Sequence, residues 1–397
     1  MGIILNKIIV LGDDFWNTLG VIRSFGEAGY KPYFINIHRG RSFVRHSRYI
    51  KQSWQVDTIE RGFDILYSFF GTEKIKPVVI CTSDKSISFL DKHYNEFCDK
   101  FILPNAARKQ GEINRLMDKD IMLEIADKVN MLHPKCLSVD IDALTLNALA
   151  ELSVNYPCLT KPLMSIEGTK ADIVVCENKE KLWTTLQKIK SEGCYKVQIQ
   201  DYIRKECEML IFGCSLSSGE IIIPGIIKKI REFPFNMGTA AYAEISSDVE
   251  KYIDTHLIAG YLKEIKYSGL FSMEFLLDRG QMYFLEINLR NDGHGYAPTY
   301  GGVNIPVQWT LGEVGKDISN YPKRIGHSYH YQIDMVDLAY MLASGKSVWA
   351  WLKAFIFADF HLIFSKKDPL PFMFVIINGL LNRIQKNRNK AMTDEKV

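Results

Sequence analysis

The chain has 397 residues, 47% hydrophobic and 24% charged, which excludes a disordered or collagen-like polymer and predicts two or three domains at about 100–200 residues each. Its 49 Lys and Arg nearly cancel 46 Asp and Glu, leaving a net charge of +3, so no chain-wide positive field recruits nucleic acid. Eight cysteines, none beyond Cys214 and none in a C-x-x-C pair, fit neither a disulfide framework nor a zinc site and point to buried thiols in a reducing compartment.

Residues 7–11 form a β-branched run followed by Gly-Asp-Asp. A helical period then occupies 16–28 and stops at Gly29, giving strand, turn and helix. The opening run carries no small-residue cleavage site and reads as a strand, not a signal peptide. Residues 33–37 and 77–81 read as further strands, the latter followed by Thr-Ser-Asp. This alternation predicts a parallel sheet of the dinucleotide-binding-like kind, but the first turn lacks G-x-G-x-x-G, so no nicotinamide site is expected. A helix is predicted over 114–129. A β-rich stretch follows, with strands at 158–161, 173–176, 196–200, 209–212 and 221–227 and a helix at 179–190. Residues 249–265 return to the helical period before strands at 270–277 and 282–288; the last 65 or so residues read as a helical appendage with a charged tail from Arg383. Apolar runs at 354–364 and 370–381 are broken or shorter than the roughly 20 residues that a span requires, so a cytoplasmic location is expected.

The two strands of 270–288 flank a turn at 278–281, a hairpin signature. Glu286 and Asn288, two apart, point to one face of their strand. Glu274 joins that face if the hairpin carries an odd loop or a bulge. Two carboxylates placed together repel each other; a hard divalent cation such as Mg²⁺, which takes oxygen ligands, removes the penalty.

Glu274, Glu286, Asn288 and Arg290, in the pattern E-F-L-L-D…F-L-E-I-N-x-R, resemble the metal signature of the ATP-grasp superfamily, in particular its carboxylate-amine ligases of the D-aspartate ligase and carbamoyl-phosphate synthase type. Residues 79–84 and 115–134 extend the resemblance, which covers most of the chain. It implies a mixed α/β and α+β fold: an N-terminal Rossmann-like domain over 1–108, a two-subdomain ATP-grasp domain over 109–330 with a mobile subdomain at about 135–205, and a C-terminal helical extension over 331–397.

The resemblance also implies ATP and Mg²⁺, with Mn²⁺ an acceptable substitute, the metal being held by Glu274, Glu286 and Asn288. Phosphoryl transfer needs further cations on the phosphates, and Lys119 and Lys161 stand where the family places its two phosphate lysines. Gly168, in Ser165-Ile-Glu-Gly-Thr-Lys170, would let backbone N–H groups approach the phosphates. Gln200 with the backbone of Asp201 and Ile203 would face the purine, and Glu208 or Glu206 the ribose. On the acceptor side Arg231 would bind a carboxylate or the developing acyl-phosphate charge, beside close backbone contact from Gly238-Thr239. Arg290 would stabilise the tetrahedral intermediate, with Asn291 and His294 as candidate pocket residues.

The implied activity is ADP-forming joining of a small-molecule carboxylate to an amine, with amino-acid or peptide-like substrates. Bicarbonate activation of the carbamoyl-phosphate type and a catalytically silent ATP-binding protein are the alternatives. Nucleic acid is not an expected partner; a homodimer is left open. The aromatic residues of 349–364, the apolar run 370–381 and the basic residues after it raise two readings, a helical cap packed on the protein and weak contact with a membrane surface.

Overall fold

The computed structural model describes residues 3–162, 173–236 and 238–394. A four-stranded parallel sheet comes first, in the order Gln52–Val56, Tyr33–Ile37, Ile8–Gly12, Val78–Cys81. Its inner strands are apolar on both faces, as helix-covered parallel strands must be, whereas Gln52–Val56 is a polar edge strand with no apolar run to announce it. Gly29 follows helix Trp16–Glu27 with φ +87°, the left-handed stop that favours glycine. Ser83 and Ser86 form a capping box that starts helix Asp84–Lys92, so Asp84 sits at the C-terminal edge of the parallel sheet.

An eight-stranded, mainly antiparallel sheet forms the centre, running Gln281–Asn288, Tyr267–Asp278, Cys207–Ser215, Ile221–Phe233, Thr239–Ser246, Tyr329–Gln332, Phe360–His361, with Asn105–Ala106 pairing off the path. Its core is continuous with that of the parallel sheet: Ile9, Leu11 and Phe63 cluster with Phe271, Phe275 and Phe284. A third sheet, Cys136–Asp140, Lys196–Asp201, Cys158–Pro162, Val174–Cys176, is covered by helices Leu146–Glu151 and Lys179–Ser191. It has its own core of Val139, Leu149, Leu182, Leu186 and Ile199.

Two expectations are corrected. The helix expected over 114–129 is two, Glu112–Leu116 and Lys119–Lys128, because the Asp118 carboxylate accepts from the Asp120 and Ile121 amides and starts the second helix. The C-terminal segment is not purely helical: Tyr331 and Phe360 are buried aromatics, stacked with ring centroids 4.8 Å apart, and burying them draws strands Tyr329–Gln332 and Phe360–His361 into the central sheet. Helices Asp334–Ala343, Val348–Phe357 and Leu370–Asp394 follow. The segment is fastened to the first helix by Arg23, whose Nε meets the Asp368 carboxylate at 3.1 Å with both side chains buried.

Candidate functional site

The hairpin closes through Arg279 and Gly280, both at positive φ, the geometry that a two-residue turn between twisted strands prefers. Counting back from the Asp278/Gln281 pair would set Glu274 against Leu285 and leave Glu286 on the other face. A register shift after Glu274 instead pairs Glu274 with Glu286 and Ser272 with Asn288. The bulge therefore gathers both acids and the amide on one face. Burial first, and then the Glu286 charge, push the Glu274 carboxyl up to about 8. Asn288 Nδ2 donates to Glu274 Oε1 at 3.4 Å and to Ser272 Oγ at 3.3 Å. The two opposed carboxylates supply oxygens that fit a hard divalent cation, and the Asn288 amide, whose oxygen accepts from Arg290 Nη2, would add that oxygen on turning over.

The same sheet face continues onto the neighbouring strands. Glu274 lies opposite Leu210, so Glu208, two residues away, shares its side. Lys229 Nζ donates to Glu208 Oε2 and, at 3.2 Å, to the Gly238 carbonyl. Burial would lower the Lys229 ammonium, but Glu274 and Glu208 outweigh it and raise its pKa. Lys205 Nζ donates to Glu208 Oε1 at 2.6 Å and to Glu232 Oε1 at 2.7 Å. Of the two acids considered for the ribose, Glu208 is thus held between two lysines, and Glu206 Oε1 accepts the Arg279 amide at 3.0 Å.

Lys119 begins its helix and is buried; burial lowers its pKa, Glu286 opposes the shift and Lys161 adds to it. Lys161 and Glu286 therefore both lie within electrostatic reach of Lys119. Lys161 pairs with Gln198 across the small sheet, on the face opposite the core residues Val197 and Ile199. Asp120, next to Lys119, accepts from Gln198 Nε2 at 3.0 Å and from Ser138 Oγ at 2.6 Å, tying that face to the lysine helix. Gln200 also lies on it, and its buried Nε2 has no partner among the described residues. The Asp201 amide donates to the Lys135 carbonyl at 2.9 Å and its carboxylate accepts from Asn155. Ile203 is half-buried just beyond. Gly168 lies outside the described residues.

The two arginines are differently engaged. Arg231 points its fork at buried Asp337, Nε to Oδ1 at 2.7 Å and Nη2 to Oδ2 at 2.9 Å, with the guanidinium 4.1 Å from the Tyr242 ring centroid. Its expected carboxylate partner is thus already supplied by helix Asp334–Ala343. Arg290 joins Asp84, Asp292 and the Asn288 oxygen; despite the cost of burial, Asp292 and Asp84 raise its pKa. His294 is buried against the Tyr331 hydroxyl at 3.0 Å, and Asn291 Nδ2 donates to the Asn17 carbonyl.

Lys229, Asp120, Asp84 and Asp292 had been given no role from sequence. Lys229 was missed because the apolar run stops at Ile227, while the strand continues to Phe233; the alternation of Lys229 with Ile227 was the available signal.

No family model matches the chain. The D-alanine–D-alanine ligase of Fusobacterium nucleatum subsp. nucleatum is 25% identical over 191 residues, 43% of this chain and 55% of that ligase; the chain spans about half the length of the curated relatives it matches. The crystal structure of an L-amino acid ligase from Bacillus licheniformis superposes with TM-score 0.60 at 15% identity, covering 82% of this chain and 79% of that one. The biotin carboxylase domain dimer of Hydrogenobacter thermophilus 2-oxoglutarate carboxylase, with MgADP, ADP and bicarbonate, superposes with TM-score 0.61 at 17% identity, covering 82% and 73%. The chain shares the fold of these proteins, in keeping with the mixed α/β and α+β architecture expected from the sequence.

Proposed function

We propose that the protein is an ADP-forming ligase that activates a carboxylate with ATP and passes it to an amine, using amino-acid or peptide-like substrates. The observation that carries this reading is the bulged hairpin that sets Glu274, Glu286 and Asn288 on one face, next to Lys119. ATP would lie between the central and small sheets, with Gln200, the Asp201 carbonyl and Ile203 at the purine and Lys119 and Lys161 at the phosphates. Glu274, Glu286 and Asn288 would hold Mg²⁺, or Mn²⁺ in its place, which when bound neutralises charge on the transferring phosphoryl group. The substrate carboxylate oxygen attacks the γ-phosphorus and ADP leaves. The amine nitrogen then attacks the acyl carbon, phosphate leaves, and the nitrogen loses a proton. Arg290, held rigid by Asp84 and Asp292, would face the oxyanion of the second step. Lys229 would keep Glu208 charged and oppose the rise of the Glu274 carboxyl, and Glu208 would reach the ribose only by exchanging a lysine contact.

The domain limits 1–108, 109–330 and 331–397 belong to this reading. The separate core of the small sheet supports its movement as a unit over about 135–205. No helix among the described residues is long and apolar enough to cross a membrane; a cytoplasmic location and a homodimer are proposed with the function. ADP release measured with a panel of amino acids tests the reading. Glu286→Gln and Lys161→Ala should each abolish it, and unchanged release would refute the site. The likeness to a biotin carboxylase domain seen with bicarbonate favours a second reading, bicarbonate activation, for which ADP release with bicarbonate alone is the mark. ATP binding without turnover on any acceptor would leave a silent nucleotide-binding protein.

A further inference from the structure

Helix Val348–Phe357 buries none of its residues, and Trp349 and Phe357 are 78% and 72% exposed. The next helix, Leu370–Asp394, exposes Leu370, Met373, Ile376, Ile377, Leu380 and Leu381, a stripe at helical spacing. These are not core positions left uncovered. The inward sides are already packed, with Phe355 against Phe364 and Phe372, and Phe372 and Val375 on the main core. Each helix therefore has a second apolar face. Residues 346–390 hold eight basic residues against two acidic ones, an excess of six in a chain whose net charge is +3. Both acids are engaged within the protein: Asp359 accepts the His330 amide at 2.7 Å, and Asp368 pairs with Arg23. Exposed Lys353 lies one turn from Trp349 and one from Phe357 on the same helix, where its stem can cover apolar surface while its ammonium reaches outward.

We propose that these two helices seat the protein on an anionic bilayer surface, apolar side chains in the headgroup boundary and lysines and arginines on the lipid charges. Charge complementarity selects this occupant: a second copy would bring basic helix against basic helix, whereas anionic lipid neutralises them. No helix among the described residues can span, so the contact is peripheral. The inference does not rest on the ligase reading.

Co-sedimentation of the full chain with vesicles of phosphatidylcholine, alone or mixed with phosphatidylglycerol, tests it. Binding is expected only to the mixed vesicles and should weaken steeply between about 0.1 and about 0.5 M salt. The double substitution Trp349→Ser/Phe357→Ser should lower the partition coefficient at least about tenfold, and Lys366→Glu/Lys367→Glu should weaken it while the circular dichroism and melting temperature stay at the wild-type values. Absence of binding to the mixed vesicles overturns the proposal. If light scattering then shows a dimer that Trp349→Ser/Phe357→Ser dissociates, a second copy covers the face.

Discussion

Arg290 clasps Asp84 through two parallel hydrogen bonds, Nε to Oδ1 at 2.6 Å and Nη2 to Oδ2 at 3.0 Å, across 206 residues of sequence. The clasp joins the bulged hairpin to the first turn of helix Asp84–Lys92, at the edge of the parallel sheet. Because Arg290 Nη2 also donates to Asn288 Oδ1 at 3.2 Å, Asp84 reaches the Asn288 amide, a proposed metal ligand, through one intermediary. Asp84→Ala should lower kcat for ADP release by about 10- to 100-fold, the usual effect of removing a partner that orients a ligand, with little change in KM for ATP. Equal changes in both constants would show that Asp84 acts on nucleotide binding instead.

Above about pH 8, where the Glu274 carboxyl is ionised, Glu274 and Glu286 repel each other without a cation between them. At such a pH Glu274→Gln should therefore raise the melting temperature of the metal-free protein while eliminating Mg²⁺-dependent ADP binding in calorimetry. A variant less stable than wild type in EDTA would show that Glu274 is held by Lys229 more strongly than it is repelled by Glu286.

Lys229 is nearly buried, and its loss would leave Glu208 with one cation where it has two. Breaking a buried pair commonly costs about 3–5 kcal/mol. Lys229→Met should fall near the low end, about 3 kcal/mol in urea unfolding, because Lys205 remains. Lys229→Arg should restore part of the loss.

Burial pushes the His294 imidazole down to about 4, with Asp292 opposing the shift and Lys229 adding to it. The unfolded chain binds this proton near pH 6.5 and the folded chain does not. The contribution is therefore complete above pH 6.5 and is lost progressively as the pH falls toward 4. Wild type should lose up to about 3 kcal/mol over that interval from this group, and His294→Gln should show a shallower slope in urea unfolding at pH 7, 6 and 5.

That Glu274, Glu286 and Asn288 share one face was legible because alternation along a strand fixes which side chains lie together, with a bulge as the condition for Glu274. The parallel sheet was legible from its apolar inner strands. Strand Gln52–Val56 was not, since an edge strand needs no apolar run, and neither was Thr239–Ser246, whose pattern of small and polar residues carries little hydrophobic contrast. Arg231 and Asp337 stand 106 residues apart, and no local period reports that a buried aspartate from the C-terminal segment will occupy the guanidinium. Position alone made Arg231 look available; only packing reveals that its fork is filled.

The buried pair of Arg23 and Asp368 separates its members by 345 residues of chain. During synthesis at about 5–20 residues per second, the guanidinium waits for roughly 20–70 seconds before its carboxylate has been made. The first helix therefore acquires its final lock late, and the nascent parallel sheet must keep Arg23 hydrated or borrow another acid in the interval. Chains stalled before and after Asp368 should differ in protease resistance of residues 8–37, with the longer chain the more resistant.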